Sequence, residues 1–174
     1  MKRITLSVVF IFIFVTVASQ SRIFRSNDVY VGGGISYRHG IFEDFSASGI
    51  SLESYYRFFD SENYRTGIDV TYYVVDGDFS PTAFEVNLNT HFYLAEYYEW
   101  VFHGLLGGQF MWVEYDWGEV FRSEIYTGFG VNLGGIVEYD MGDIIIFAQP
   151  KVTFYNVNEF RITPQLTLGA RYVF

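Results

Sequence analysis

From Asp28 to Phe174 the chain repeats one pattern: runs of about ten residues in which apolar and polar side chains alternate, each run closed by a polar turn. This alternation constrains the fold more than any other feature. Helical faces repeat every 3.6 residues, so a period of two spreads apolar groups around a helix; on a strand it sorts them onto one face. Eight strands are predicted, at 28–38, 47–59, 64–75, 82–94, 99–114, 124–139, 143–155 and 161–174. The expected fold is all-β: an eight-stranded antiparallel up-and-down barrel over residues 28–174.

Strand four shows the sorting most clearly. Phe84, Val86, Leu88, Thr90, Phe92 and Leu94 share one face; Glu85, Asn87, Asn89, His91 and Tyr93 share the other. Strand eight sets Ile162, Leu166, Leu168, Ala170, Tyr172 and Phe174 against Arg161, Thr163, Gln165, Thr167 and Arg171. Charges in the strand interiors fall on the second face throughout. A soluble barrel would carry them outside. A charge facing lipid costs about 2–4 kcal/mol at the bilayer midplane, so the apolar face is expected to meet lipid and the charged face to line a lumen. Pro150 removes a ladder donor from strand seven and is expected to mark a bulge or a break in pairing. The many glycines are expected to let a narrow barrel bend and to make room for inward Tyr and Arg.

The first residues read differently. Lys2 and Arg3 precede an almost unbroken apolar run, Ile4 to Val17, followed by the small-residue site Val17-Ala18-Ser19. That is a secretory leader, too short for the ~20 residues of a helical span. The expected organisation is a cleaved signal peptide over 1–19, a short segment over 20–27, and the barrel. With no Cys there is no disulfide framework. The formal charge is −9, and loss of Lys2 and Arg3 takes it to −11. An acidic chain of this kind excludes nucleic acid as a partner, since binding it needs a basic footprint.

The chain ends Leu168-Gly169-Ala170-Arg171-Tyr172-Val173-Phe174. Its terminal aromatic, with Leu168, Ala170 and Tyr172 at alternate positions before Phe174, resembles the C-terminal assembly signal of bacterial outer-membrane proteins. Together with the leader and the eight segments, it makes the chain resemble the small eight-stranded outer-membrane β-barrels of the OmpX and OmpA transmembrane-domain type. The resemblance implies an integral outer-membrane protein inserted by the barrel-assembly machinery, in contact with outer-membrane lipid and lipopolysaccharide. It implies periplasmic termini, with turns 60–63, 95–98 and 140–142 on that side and segments 39–46, 76–81, 115–123 and 156–160 outside. Tyr56, Phe58, Phe92, Trp100, Phe102, Tyr139, Tyr172 and Phe174 then fit one interfacial girdle, and Tyr37, Tyr72, Trp112 and Phe154 the other.

An eight-stranded barrel has room inside only for side chains. The predicted inner face carries Arg57, Arg65, Lys151 and Arg171 beside Glu53, Asp69, Glu85 and Glu138. These eight are expected to pair, because an unpaired buried charge is costly. The expectation is a plugged lumen. Each outer segment sets acids beside aromatics: Phe42, Glu43, Asp44 and Phe45; Asp76, Asp78 and Phe79; Asp116, Trp117, Glu119 and Phe121; Glu159 and Phe160. Such a rim suits contact with partners such as other outer-membrane proteins.

No constellation specifies catalysis, a metal or a cofactor. Asp76-x-Asp78 lacks the Gly and closing Glu of a calcium loop. There is no phosphate-binding or dinucleotide fingerprint. His91 and His103 read as hydrogen-bonded lumen residues. His39 has Ser36, Ser46 and Ser48 nearby in sequence, which leaves a lipid A-modifying acyl hydrolase or transferase as the alternative from another class. A narrow small-solute channel is the third. The favoured reading is a non-enzymatic barrel, structural or an accessory subunit of an outer-membrane complex.

Overall fold

A computed structural model describes residues 29–42, 45–57, 63–75, 82–115, 124–157 and 159–174. Eight strands account for nearly all of them: β1 (Val29–Phe42), β2 (Phe45–Tyr56), β3 (Tyr64–Val75), β4 (Thr82–Tyr97), β5 (Trp100–Tyr115), β6 (Glu124–Asp140), β7 (Ile144–Val157) and β8 (Glu159–Val173). Each pairs antiparallel with the next, and β8 pairs with β1 to close the barrel. Following register partners from Ile35 through Ile50, Tyr72, Phe84 and Trp112 leads to Thr127 on β6. The opposite route, through Leu168 and Ala148, leads to Val137. The circuit therefore closes with a stagger of ten residues, from 127 to 137, which is how tilted strands close a barrel.

The period-two pattern becomes an inside and an outside. Ile50, Leu52, Ile68, Leu88, Leu106, Leu133, Leu166 and Leu168 point outward and are exposed. Arg65, Asp69, Glu85, Asn87, Lys151 and Arg171, one residue out of phase with that set, point inward and are buried. This polarity is the reverse of a soluble protein's. Exposed Tyr64, Tyr97, Tyr98 and Trp100 ring the end that carries the termini, and exposed Tyr37, Tyr72 and Trp112 ring the hairpin end.

Several local expectations need correction. Segments 39–46 and 156–160 are mainly strand: β1 runs on to Phe42, which pairs with Phe45, and β7 and β8 pair up to Val157 and Glu159. Leu94 stands in a bulge, since pairing passes from Tyr93↔His103 to Ala95↔Phe102. At Pro150 the β6–β7 ladder stops after Gly134↔Lys151 and resumes in the same register at Val137↔Ala148, while the β7–β8 ladder is unbroken. The missing donor thus interrupts one ladder, which is the break in pairing expected at this proline.

Several inward glycines share one setting: a large inward side chain faces them across the ladder. Gly67 lies opposite Tyr55, Gly49 opposite Tyr73, Gly169 opposite Phe147 and Gly32 opposite Arg171. A Cβ on Gly67 would meet the Tyr55 ring at 2.6 Å, so the ring lies flat on the glycine backbone.

Candidate functional site

The inward side chains form two connected networks. Both begin from strand alternation, which sends every second residue into a space closed to solvent. In the network nearer the termini, Glu138 is the hub. Arg65 and Arg171 both pair with its Oε1, and His103 Nε2 lies 3.2 Å from its Oε2. Arg171 also pairs with Glu53, and its guanidinium stacks on the Phe147 ring at 4.0 Å. Arg65 donates from Nε to Nδ1 of His91 at 3.0 Å, which puts the imidazole proton of neutral His91 on Nε2. Arg57 donates to the Tyr30 hydroxyl at 2.9 Å.

In the second network Glu85 pairs with Arg38, accepts from Lys151 Nζ at 3.1 Å, and accepts from Asn87 at 2.6 Å. Asp69 accepts from Asn87 and Asn89, each at 2.5 Å. Asn132 donates to Asn87 and accepts from Thr153. Tyr55 joins the two networks. Its ring lies 4.1 Å from that of His91, and its hydroxyl donates to Asp69 at 3.2 Å.

Five cations (Arg38, Arg57, Arg65, Lys151 and Arg171) and four anions (Glu53, Asp69, Glu85 and Glu138) are thus buried together, none more than 6% exposed. Burial on this scale is tolerable only with near-complete mutual pairing, because desolvation costs several kcal/mol per ion. Toward the hairpin end the lumen changes character. Ala47, Tyr73, Ala83, Met111, Val113 and Tyr155 form a buried apolar layer across it. Near the termini, Tyr30, Tyr55 and Ile145 pack together.

The structure brings the eight sequence-predicted inner charges together. It adds Arg38, which the sequence reading put at the very end of strand one and omitted. It also adds the Asn87–Asn89–Asn132 cluster and the apolar layers. The strand-four face with Glu85, Asn87 and Asn89 was the available signal for the first two asparagines. The acidic and aromatic rim is not brought into view. Glu43, Asp44, Asp76, Asp78, Phe79, Asp116, Trp117, Glu119 and Phe121 lie outside the described residues, as do the side chains of Phe42, Phe45, Glu159 and Phe160. The assembly-signal residues Leu168, Ala170, Tyr172 and Phe174 all face outward, with the Tyr172 and Phe174 rings 4.8 Å apart.

Of the serines near His39, Ser36 turns inward and bonds to Thr167 at 2.7 Å. Ser46 is the one in reach: its Oγ lies 2.9 Å from His39 Nδ1. His91 and His103 are 6.4 Å apart between ring centroids. Among the described residues no three His, Asp or Glu side chains converge as metal ligands.

No family model and no curated protein matches the chain. Solved structures do match it in shape. Neisserial surface protein A aligns over 85% of this chain and 97% of its own, with a TM-score of 0.64 at 15% identity. A major outer-membrane protein from Thermus thermophilus gives 0.66 at 13% identity, over 86% of this chain and 100% of its own. The Yersinia pestis attachment invasion locus protein gives 0.58 at 16% identity, over 86% and 100%. The fold is that of the small eight-stranded outer-membrane β-barrels. In this chain the outward face of that fold is the exposed apolar belt, and the inward face holds the paired charges.

Proposed function

We propose that the protein is an integral outer-membrane barrel that works through its surfaces, as a structural or accessory subunit of an outer-membrane complex, and not through a pore. The carrying observation is the lumen: nine buried charges joined by ion pairs and hydrogen bonds beneath an apolar layer of Tyr73, Met111, Val113 and Tyr155. Such a layer disfavours the passage of a hydrated ion, since an eight-stranded barrel has room inside only for side chains. The reading includes a signal peptide over 1–19, recognition of the strand ending on Phe174 by the barrel-assembly machinery, and periplasmic termini. It includes contact with lipid and lipopolysaccharide along the belt. The partner-contact rim is the acidic and aromatic set from Phe42 to Phe160. Support for the compartment comes from the solved neighbours, which include outer-membrane proteins by name, and from the inverted polarity.

The test is conductance across planar bilayers holding the purified, folded protein. Leak-level current is expected; steady current above leak removes the sealed lumen. Co-purification from native outer membranes tests the rim. Replacing Phe45, Phe79, Trp117 and Phe160 with Ser should release the partners, and an unchanged partner set contradicts the assignment.

A further inference from the structure

One backbone group in the barrel wall has no ladder partner. The β6–β7 ladder stops after Gly134↔Lys151 and resumes at Val137↔Ala148, so Gly135 lies opposite Pro150. The β7–β8 ladder is unbroken through Pro150↔Leu166, so the edge of Pro150 that lacks an N–H is the one facing β6. The Gly135 carbonyl therefore receives no hydrogen bond across that ladder. No side chain covers it either. Gly135 is half-buried and Pro150 exposed, both on the outward face, and the nearest atom to a Cβ built on Gly135 is the His103 carbonyl oxygen at 3.4 Å. Its partner on the other side, on β5, is a second glycine, Gly104. In the hydrocarbon of a bilayer no water reaches such a carbonyl, and leaving it unpaired is costly.

The opposite side of the barrel carries what this seam lacks. Ser54, Thr66 and Thr90, on β2, β3 and β4, are outward hydroxyls, since Glu53, Arg65 and His91 beside them are inward and buried. Thr66 and Thr90 are register partners with hydroxyl oxygens 2.9 Å apart. Two hydroxyls share that one bond, so one proton is left to donate. In the closed order of eight strands, β2–β4 and the β6–β7 seam lie about half a circuit apart.

The two faces also match in depth. From Gly135 the register path runs through Gly104 and Phe92 to Tyr64. The circuit climbs ten residues over eight strands, or 1.25 per strand, so points level with Gly135 lie 2.5 residues from Phe92 on β4 and 3.75 from Tyr64 on β3, toward the hairpin end. Thr90 is thus level with Gly135 to within one residue, and Thr66 to within two.

We propose that copies of this chain pack side by side in the membrane, the hydroxyl face of β2–β4 on one copy against the β6–β7 seam of the next. A threonine hydroxyl of one copy donates to the Gly135 carbonyl of its neighbour, and the glycines of the seam let the two walls approach closely. Because the faces lie on opposite sides of one barrel, the contact is head to tail and repeats as an open row instead of closing a dimer. The proposal deepens the surface-acting reading above by naming the partner. It rests on the membrane embedding and not on the sealed lumen.

The test uses cross-links between copies. Folded Ile68→Cys and Ala148→Cys proteins are mixed in phosphatidylethanolamine–phosphatidylglycerol vesicles at high lipid dilution and treated with a short bis-maleimide. Links between positions 68 and 148 are expected well above those between like positions. Pro150→Ala supplies the missing donor within the ladder; Thr66→Val with Thr90→Val removes the hydroxyls and keeps their shape. Each change, built into both cysteine proteins, is expected to lower the 68–148 yield by roughly three- to tenfold, the worth of one hydrogen bond in a membrane. Equal yields for like and unlike pairs mean random collision and overturn the proposal. A yield that Pro150→Ala leaves unchanged overturns it too, because the seam is then a matter of packing alone. Embedding is read separately, from the oxygen and nickel accessibility of spin labels on the belt, and the lumen from conductance, so each reading fails on its own.

Discussion

At the scale of single residues, Glu138 is the hub of the lumen network nearer the termini. Two guanidinium groups and one imidazole converge on its carboxylate. Glu138→Gln keeps the shape and removes the charge, leaving Arg65 and Arg171 short of an anion. The expected loss is about 3–5 kcal/mol, the usual cost of breaking a buried pair from one side. Urea titration of the protein folded in lipid vesicles measures it. Position alone would not have singled out Glu138. The sequence shows that its face is polar, but not which carboxylate sits where two guanidinium groups and an imidazole from three strands converge. Arg38 shows the same gap. It lies two residues before the bulge that ends regular β1–β2 pairing, and its partner Glu85 is 47 residues away.

At the scale of strands, the setting of the glycines makes two contrasting predictions. Gly67→Ala places a methyl group against the Tyr55 ring and the Ser54 carbonyl, so it should cost about 1–3 kcal/mol. Gly108 has nothing within 4 Å of a built Cβ, so Gly108→Ala should stay within about 0.5 kcal/mol of wild type. The same vesicle titration, run on both variants, distinguishes a specific packing role from a general effect of losing glycine. Strand number, order and facing were legible because each depends only on period-two alternation and short connections. Strand ends were less so. The outer parts of β1, β7 and β8 are polar enough to read as loops, yet they pair. The apolar layer of Ala47, Tyr73, Ala83, Met111, Val113 and Tyr155 was hidden for the opposite reason. There the inner face is as apolar as the outer, and alternation of polarity stops marking which side is which.

At the scale of the whole molecule, the protein is inside out: a belt of exposed Leu, Ile, Val and aromatics surrounds a core of ions. Leu52 lies near the middle of that belt, opposite Gly33 on β1. Leu52→Arg should therefore cost about 2–4 kcal/mol in vesicles, where the same change on a soluble protein's surface would cost little. The belt can also be read directly, because the chain has no Cys and single cysteines can be introduced cleanly. Spin labels at Ile50, Ser51 and Leu52, and at Leu166, Thr167 and Leu168, would be tested in lipid for collision with oxygen and with a water-soluble nickel complex. Labels at Ile50, Leu52, Leu166 and Leu168 are expected to meet oxygen and not nickel, while those at Ser51 and Thr167 meet neither. Nickel accessibility at the four belt positions would contradict a lipid-facing belt.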